Sequence, residues 1–331
     1  MIPKKTMIAA TAACALTLGG VAHADKEYSL DIPEQTVTAG STGGSWFITS
    51  TALFDLYSDK IDGLRYNIVP GGGVSNPISV QNGDASVAMG YTTNLHAAYH
   101  GEDPYEAELT DLRAVANINL ASVVHAFVLE DTPVNTLAEL AESEYAIRID
   151  TGTRGTGGEL AAARALEAHG AGYDNIRSWG GSITHSAYTE AMDRMRDGHI
   201  EAFMNDDMIR TPTFVDLSLA RNVKLLPMEE EVIEYLHENY GYSPATIPAG
   251  SYEGQDEEIP SIAQHHVVFA HKDTPEELVY LMVKLMFENK DRLVDAHPLF
   301  ENLDVNVGPT GFPIPLHPGA EEYYREVGAL D

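Results

Sequence analysis

The sequence predicts an α/β protein of two lobes, each a mostly parallel sheet flanked by helices, with a cleft between them. Three observations predict it. Strand, glycine-rich turn and helix follow one another three times before Gly101. A long, mostly apolar segment, Leu112 to Leu129, then leads into a second series of such units. A return strand at His265 to Ala270 and an amphipathic helix at Pro275 to Asn289 bring the chain back. Successive strand–helix units imply a parallel sheet with helices on its faces. The return implies a discontinuous first lobe, residues 25–119 with 273–331, around a second lobe, 120–272.

The amino terminus reads as a secretory signal. Lys4 and Lys5 precede an uncharged run, Met7 to Leu18, and then Ala22-His23-Ala24 before Asp25. Positive, apolar and small-x-small segments in that order mark residues 1–24 for cleavage. The apolar run is shorter than the ~20 residues that span a bilayer. The sole cysteine, Cys14, lies inside it. Acylation at Cys14 would need a different upstream pattern from Thr11-Ala12-Ala13, so cleavage after Ala24 is the preferred reading. The mature chain, residues 25–331, then has no cysteine and no disulfide, and its location is periplasmic, or more generally extracytoplasmic.

In the first lobe, Thr36 to Ala39 is a strand, Gly40 to Gly44 a turn and Trp46 to Tyr57 a helix by apolar spacing. Leu64 to Val69 is a strand, Gly71-Gly72-Gly73 a turn and Val74 to Gln81 a short helix. Ala85 to Met89 is a strand, with a helix near Thr93 to Tyr99. In the second lobe, Tyr145 to Ile149 is a strand, Asp150 to Gly158 a turn, and alanine-rich Leu160 to His169 a helix closed by Gly170. A helix follows over Thr184 to Asp197, with strands at Ile200 to Met204 and Asn222 to Leu226. Tyr240 to Pro260, rich in Gly, Pro and acids, reads as an ordered loop.

Asp and Glu number 50 against 20 Lys and Arg, a net charge of −30, which becomes −32 once Lys4 and Lys5 are removed. Such a chain repels nucleic acid and anionic lipid, which sets both aside as partners. The acids are spread over the whole length, as suits a protein kept soluble at high salt, where screening relieves self-repulsion. A halophilic source predicts an unfolding midpoint that rises between low and molar salt; a flat dependence would remove that reading.

Two glycine-rich turns carry the candidate chemistry. Backbone N–H groups at a helix start have no helical partner, and the helix dipole adds positive character. Ser41, Thr42, Gly43, Gly44, Ser45 and Trp46 in the first turn, and Arg154, Gly155 and Thr156 in the second, would face each other across a cleft at the carboxyl ends of the strands. Arg154 could grip a carboxylate with two hydrogen bonds or pair with a surface acid. Trp46, Tyr91 and Trp179 could form apolar walls or pack in the core. Asn76, Thr92 and Thr93 stand at helix starts, as caps, ligand contacts or both.

The ordered set extends further. Gly40-Ser41-Thr42-Gly43-Gly44-Ser45-Trp46 is followed by Gly71-Gly72-Gly73-Val74-Ser75-Asn76, Asn82-Gly83-Asp84-Ala85 and Gly90-Tyr91. Then come Gly155-Thr156, Leu166-Glu167-Ala168-His169-Gly170, Asp197-Gly198-His199-Ile200-Glu201-Ala202-Phe203, Ile247-Pro248-Ala249-Gly250-Ser251-Tyr252 and Val279 to Lys284. In this order and spacing the chain resembles the TAXI family of TRAP-transporter solute receptors over nearly all of its mature length. The resemblance implies a type II periplasmic-binding-protein fold with a hinged cleft, and a membrane permease partner driven by an ion gradient. It also implies a small organic anion such as glutamate or 2-oxoglutarate as ligand. Three places depart from the family pattern. Trp46 or Phe47 stands for the usual aromatic of the first helix, Thr153-Arg154-Gly155-Thr156 replaces Gly-Ser-Gly-Thr, and Met204-Asn205-Asp206-Asp207 replaces an apolar, glycine-rich stretch.

Enzyme readings find less support, and no cofactor or metal is expected. There is no Gly-x-Ser-x-Gly elbow, no phosphate-binding P-loop and no Rossmann glycine spacing. His96 and His100 have a metal-compatible spacing without the HExxH pattern. His265 and His266 on a strand point to opposite faces, and Asp206-Asp207 reads as a solvated acidic loop rather than a cation site. A ligand-presenting sensor subunit and an exported enzyme sharing the fold stand as alternatives; turnover of the bound molecule would mark the enzyme.

Overall fold

The computed structural model describes residues 26–40 and 45–331. The signal segment, Cys14 and the residues Ser41 to Gly44 lie outside them. One mixed sheet of ten strands runs through the molecule. At one end, Gln35–Thr38 lies between Tyr66–Val69 and Val87–Tyr91, all three parallel. Helices Ser45–Lys60, Ser75–Gln81 and Thr92–His100 connect or follow these strands. At the other end, Arg148–Asp150 lies parallel between Ser182–Thr184 and Ala202–Asp207.

Two long strands join the ends. Leu112–Leu129 is 18 residues long, about three times an ordinary strand, and Ile259–His271 is 13. They run antiparallel side by side, so the sheet is mixed rather than mostly parallel. The return strand reaches its place only after the chain has visited the far lobe, which reverses its direction. Burial of both faces explains why the strand Leu112–Leu129 is apolar nearly throughout instead of alternating.

The pairing of the two long strands shifts register twice, once between Val268 and Phe269 and more widely between His265 and Val267. His265 faces Ala121, but Val267 faces Asn117, so two extra residues bulge from the longer strand. Asn119, within the bulge, has φ of 54°, a left-handed conformation that Asn tolerates better than most residues. The hydrophobic core divides at the same place. Two clusters draw their buried members from residues 30–120 and 267–324; the other two draw theirs from residues 123–263. The two groups of clusters therefore meet where the two long strands pass between them.

Three local readings are corrected. Tyr240 to Pro260 is not all loop: Ser243–Ile247 is a strand paired antiparallel to Ile259–Ala263, its alternation hidden among Pro and Thr. Thr184 ends a strand, and the following helix begins only at Tyr188. Asp206 and Asp207 end the strand Ala202–Asp207, paired to Val124 and Val123, and are not a solvated loop. Among the described residues, no helix is long and apolar enough to cross a membrane.

Candidate functional site

On the first lobe the turn Gly71-Gly72-Gly73 is held from beneath by Asn76. Its Oδ1 accepts from Thr38 Oγ1 (2.9 Å) and from the Gly72 N–H (2.9 Å), while its Nδ2 donates to the carbonyls of Ala39 (2.7 Å) and Met89 (2.8 Å). The side chain is completely buried. A methyl group on Gly71 would sit 2.1 Å from Asn76 Oδ1 and 2.9 Å from the Ala39 carbonyl, so only glycine lets the turn lie this low. Asn76 thus ties two neighbouring strands, at Thr38–Ala39 and at Met89, to the turn.

The second lobe meets this turn glycine on glycine. A methyl on Gly73 would lie 3.1 Å from the Gly157 nitrogen, and one on Gly157 would lie 2.5 Å from the Tyr91 ring. Arg164, on the helix Gly157–Ala168, reaches across to donate to the Asp103 carbonyl at 2.6 Å, while its guanidinium stacks over Tyr240 at 4.2 Å. The two sides are in direct contact here. Much of the second turn's donor capacity is used by the chain itself. Glu159 accepts from the Gly155 N–H (3.3 Å), Thr156 Oγ1 caps the helix by accepting from the Glu159 N–H (3.2 Å), and Asp150 accepts from Gly152 (2.9 Å).

Behind the contact a chain of polar side chains runs from lobe to lobe. Trp46 Nε1 donates to His266 Nδ1 (2.9 Å), which fixes the ring proton on Nε2, and Nε2 donates to Ser122 Oγ (2.8 Å). Burial pushes His266 down to about 3, so the ring is neutral. Tyr91 OH also reaches Ser122 Oγ (3.3 Å), and its ring stands edge-on to Trp46 with centroids 4.6 Å apart. Beside them Thr93 donates to Gln264 Oε1 (2.6 Å), and Gln264 Nε2 donates to Asp206 Oδ2 (2.8 Å). His266 lies inside the wider register shift, so the network reaches the point where the two long strands change pairing.

The charge at this site is negative. Burial raises the Asp206 carboxyl to about 6, against the relief supplied by Gln264, and neighbouring Asp207 raises it further. Asp207 is raised as well, again by burial. Neither acid forms an ion pair among the described residues. Tyr188 OH lies within hydrogen-bonding reach of two acceptors, the Asp206 carbonyl (2.6 Å) and Asn205 Oδ1, with one proton to give between them. A methyl on Gly158 would meet Asp206 Oδ1 and Asn205 Oδ1, each at 2.1 Å. The Asp206 carboxylate therefore lies directly against the first turn of the helix Gly157–Ala168.

Of the residues singled out from the sequence, Trp46 and Tyr91 come together at the lobe junction, and Ser45 opens the helix behind the turn. Ser41, Thr42, Gly43 and Gly44 lie outside the described residues. Asn76 is corrected from ligand contact to scaffold, since all four of its hydrogen-bonding positions are taken within the chain. Thr92 faces another hollow, of about 450 Å³, shared with His96, Asn117 and His265. Arg154 and Gly155 are exposed, the Gly155 carbonyl 3.9 Å from where a Gly72 methyl would stand, and Thr156 is half-buried as the helix cap. Trp179 packs against the second-lobe core.

Sequence reasoning missed Ser122, His266, Gln264 and Tyr188, and it misread Asp206. The available signal was the polar run Gln264-His265-His266 inside an apolar strand, which burial makes costly unless every group is paired.

Residues 37–328 match the sequence profile of the NMT1-like family. Among solved structures, MatC from Rhodopseudomonas palustris with bound malate is 14% identical, over 81% of this chain and 88% of that one, with a TM-score of 0.48. A TctC solute binding protein from Polaromonas is 17% identical, over 92% of this chain and 99% of that one, with a TM-score of 0.48. The periplasmic binding protein BugD is 14% identical, over 91% and 93%, with a TM-score of 0.49.

Proposed function

The chain belongs to the NMT1-like family, and from that premise we propose that it is the extracytoplasmic solute-binding subunit of a TRAP-type (TAXI) transporter. It captures a small organic acid by closing two lobes around it and presents the closed form to a membrane permease. The observation that carries this reading is the double-stranded hinge beside two facing glycine turns. Rotation about Asn119–Ser122 and His265–Val267 opens and shuts the junction without breaking either core. The lobe division rests on the membership of the hydrophobic clusters. The Gly157 and Gly158 N–H groups supply donors for a carboxylate, Trp46 and Tyr91 an apolar wall, and exposed Arg154 a guide at the rim.

A thermal-shift screen of residues 25–331 in molar salt tests this reading against amino acids, oxo acids, dicarboxylates and sulfonates. A ligand at about 100 times its Kd adds roughly 2.7 kcal/mol to stability, a shift of a few degrees, and the bound acid is recovered unchanged. Arg154→Ala is expected to leave the saturating shift in place. The absence of any shift, in folded protein freed of copurified ligand, would count against the receptor reading.

A further inference from the structure

Arg164 is a buried cation without a counter-ion. It is 8% exposed, and no acid pairs with it among the described residues, although the chain carries 50. Arg148, Arg177, Arg194, Arg196, Arg292 and Arg325, by contrast, each face a carboxylate. A buried cation is costly unless its donors are met. The groups that meet those of Arg164 are neutral, and they come from both lobes.

Within the second lobe, the Tyr240 ring stacks 4.2 Å from the guanidinium carbon and the Tyr242 hydroxyl accepts from Nη1 at 3.4 Å. Both tyrosines pack with the second-lobe core, so they hold the guanidinium in place whether or not the first lobe is near. The first lobe supplies one partner, the Asp103 main-chain carbonyl, which accepts from Nη2 at 2.6 Å. That carbonyl is itself fixed. The Glu102 N–H donates to the Ala97 carbonyl (2.9 Å), the Tyr105 N–H donates to the Glu102 carbonyl (2.8 Å), and Tyr105 is buried with its hydroxyl toward the Gly73 carbonyl (3.5 Å). Gly73 is also the residue that packs on the Gly157 nitrogen. Gly157 and Arg164 stand seven residues apart, on one face of the same helix and about 10 Å along it. The helix Gly157–Ala168 therefore meets the first lobe at two points, a glycine contact at its start and an arginine two turns on.

We infer that Arg164 is a latch: the hydrogen bond from its guanidinium to the Asp103 carbonyl holds the two lobes together and sets how long they stay shut. The inference rests on the receptor reading above, in which the lobes open and close, and names what regulates that motion. Parting the lobes breaks the bond to Asp103 alone, because Tyr240 and Tyr242 move with Arg164. Closing them exchanges water for a carbonyl on a guanidinium, a weakly hydrated cation, so the exchange costs little. The side chain is already ordered by its tyrosines, and little rotamer freedom is lost when the bond forms. A neutral acceptor also suits a chain of this charge in salt, since a buried contact of this kind is screened far less than an exposed ion pair.

The test is the lifetime of the shut state, followed by single-molecule energy transfer on residues 25–331 without added ligand. That span has no cysteine, so the two dyes go on Asp84→Cys and Glu142→Cys. These exposed residues precede the strands Val87–Tyr91 and Arg148–Asp150, one in each lobe. Arg164→Met keeps the apolar stem and removes the donors; it is expected to shorten the shut state about 10- to 100-fold, the range of a hydrogen bond made by a charged group. Arg164→Lys keeps the charge without the planar fork and is expected to shorten it by a smaller factor; it carries the test if the methionine variant does not fold. Asp103→Asn keeps the main-chain carbonyl and is expected to leave the lifetime unchanged. An unchanged or longer lifetime in the folded Arg164 variant, or a loss in Asp103→Asn as large as in that variant, would overturn the latch while leaving the receptor reading intact. A single fixed distance in the wild type and every variant would overturn both.

Discussion

Asn76→Ala is expected to lower the unfolding free energy by about 3–5 kcal/mol. The side chain is buried and makes four hydrogen bonds to four different partners. Each is worth roughly 1 kcal/mol net, and each buried group left without a partner adds about 1–3 kcal/mol. The four share one network, so their losses do not simply add, which keeps the total below their sum. Water entering the space can restore part of the loss. Urea unfolding measures the effect: the midpoint should fall with an unchanged slope. A loss below about 1 kcal/mol would mean that the turn is held by its glycines alone. The effect concerns function too, because the turn Gly71–Gly73 is the surface on which the second lobe closes.

Asp206→Asn should change stability in the opposite direction, and only where the carboxyl would be charged. The group rises from 3.8 in the unfolded chain to about 6 in the fold, so the folded state holds the proton more tightly. Its contribution to stability is complete below pH 3.8 and is lost as pH rises through 6. At pH 8 the wild type carries the cost of keeping a buried acid ionised, about 3 kcal/mol for a rise of this size. The variant does not carry it. Unfolding curves at pH 4 and pH 8 should therefore show near-equal stability at the lower pH and a more stable variant at the higher. Equal stability at both would mean that Asp206 already has a compensating charge.

The alternation of strand, glycine turn and helix was legible because period and turn chemistry are local. Asn76 was legible as a residue at a helix start, but not as the knot beneath the turn, because two of its partners, Thr38 and Met89, come from other strands. Asp206-Asp207 misled for the same reason. Two adjacent acids look solvated until strand pairing to Val124 and Val123 buries them. His265 and His266 could be assigned opposite faces from strand geometry alone, and their partners agree: Ser243 for one, Trp46 and Ser122 for the other. That the second of these faces sits at a shift in strand pairing depended on a register offset that no composition or period encodes. Arg154 drew attention by its chemistry, and it stands exposed in a turn whose Gly152 and Gly155 both have φ of 78°.

The shared strands bear on the order in which the protein can be made. The first lobe begins at the amino-terminal end of the chain, but its sheet is closed on one side by Val267 to His271 and its core by Leu278 to Met286 and Tyr323 to Tyr324. None of these exists until synthesis is nearly finished. Contacts separated by so much chain form slowly, and an incomplete first lobe exposes apolar surface that nothing upstream can cover. A chain proposed to leave the cell as an unfolded thread gains from this: its largest core cannot set before its last helix has been made, so the polypeptide stays threadable until the moment it is released on the far side.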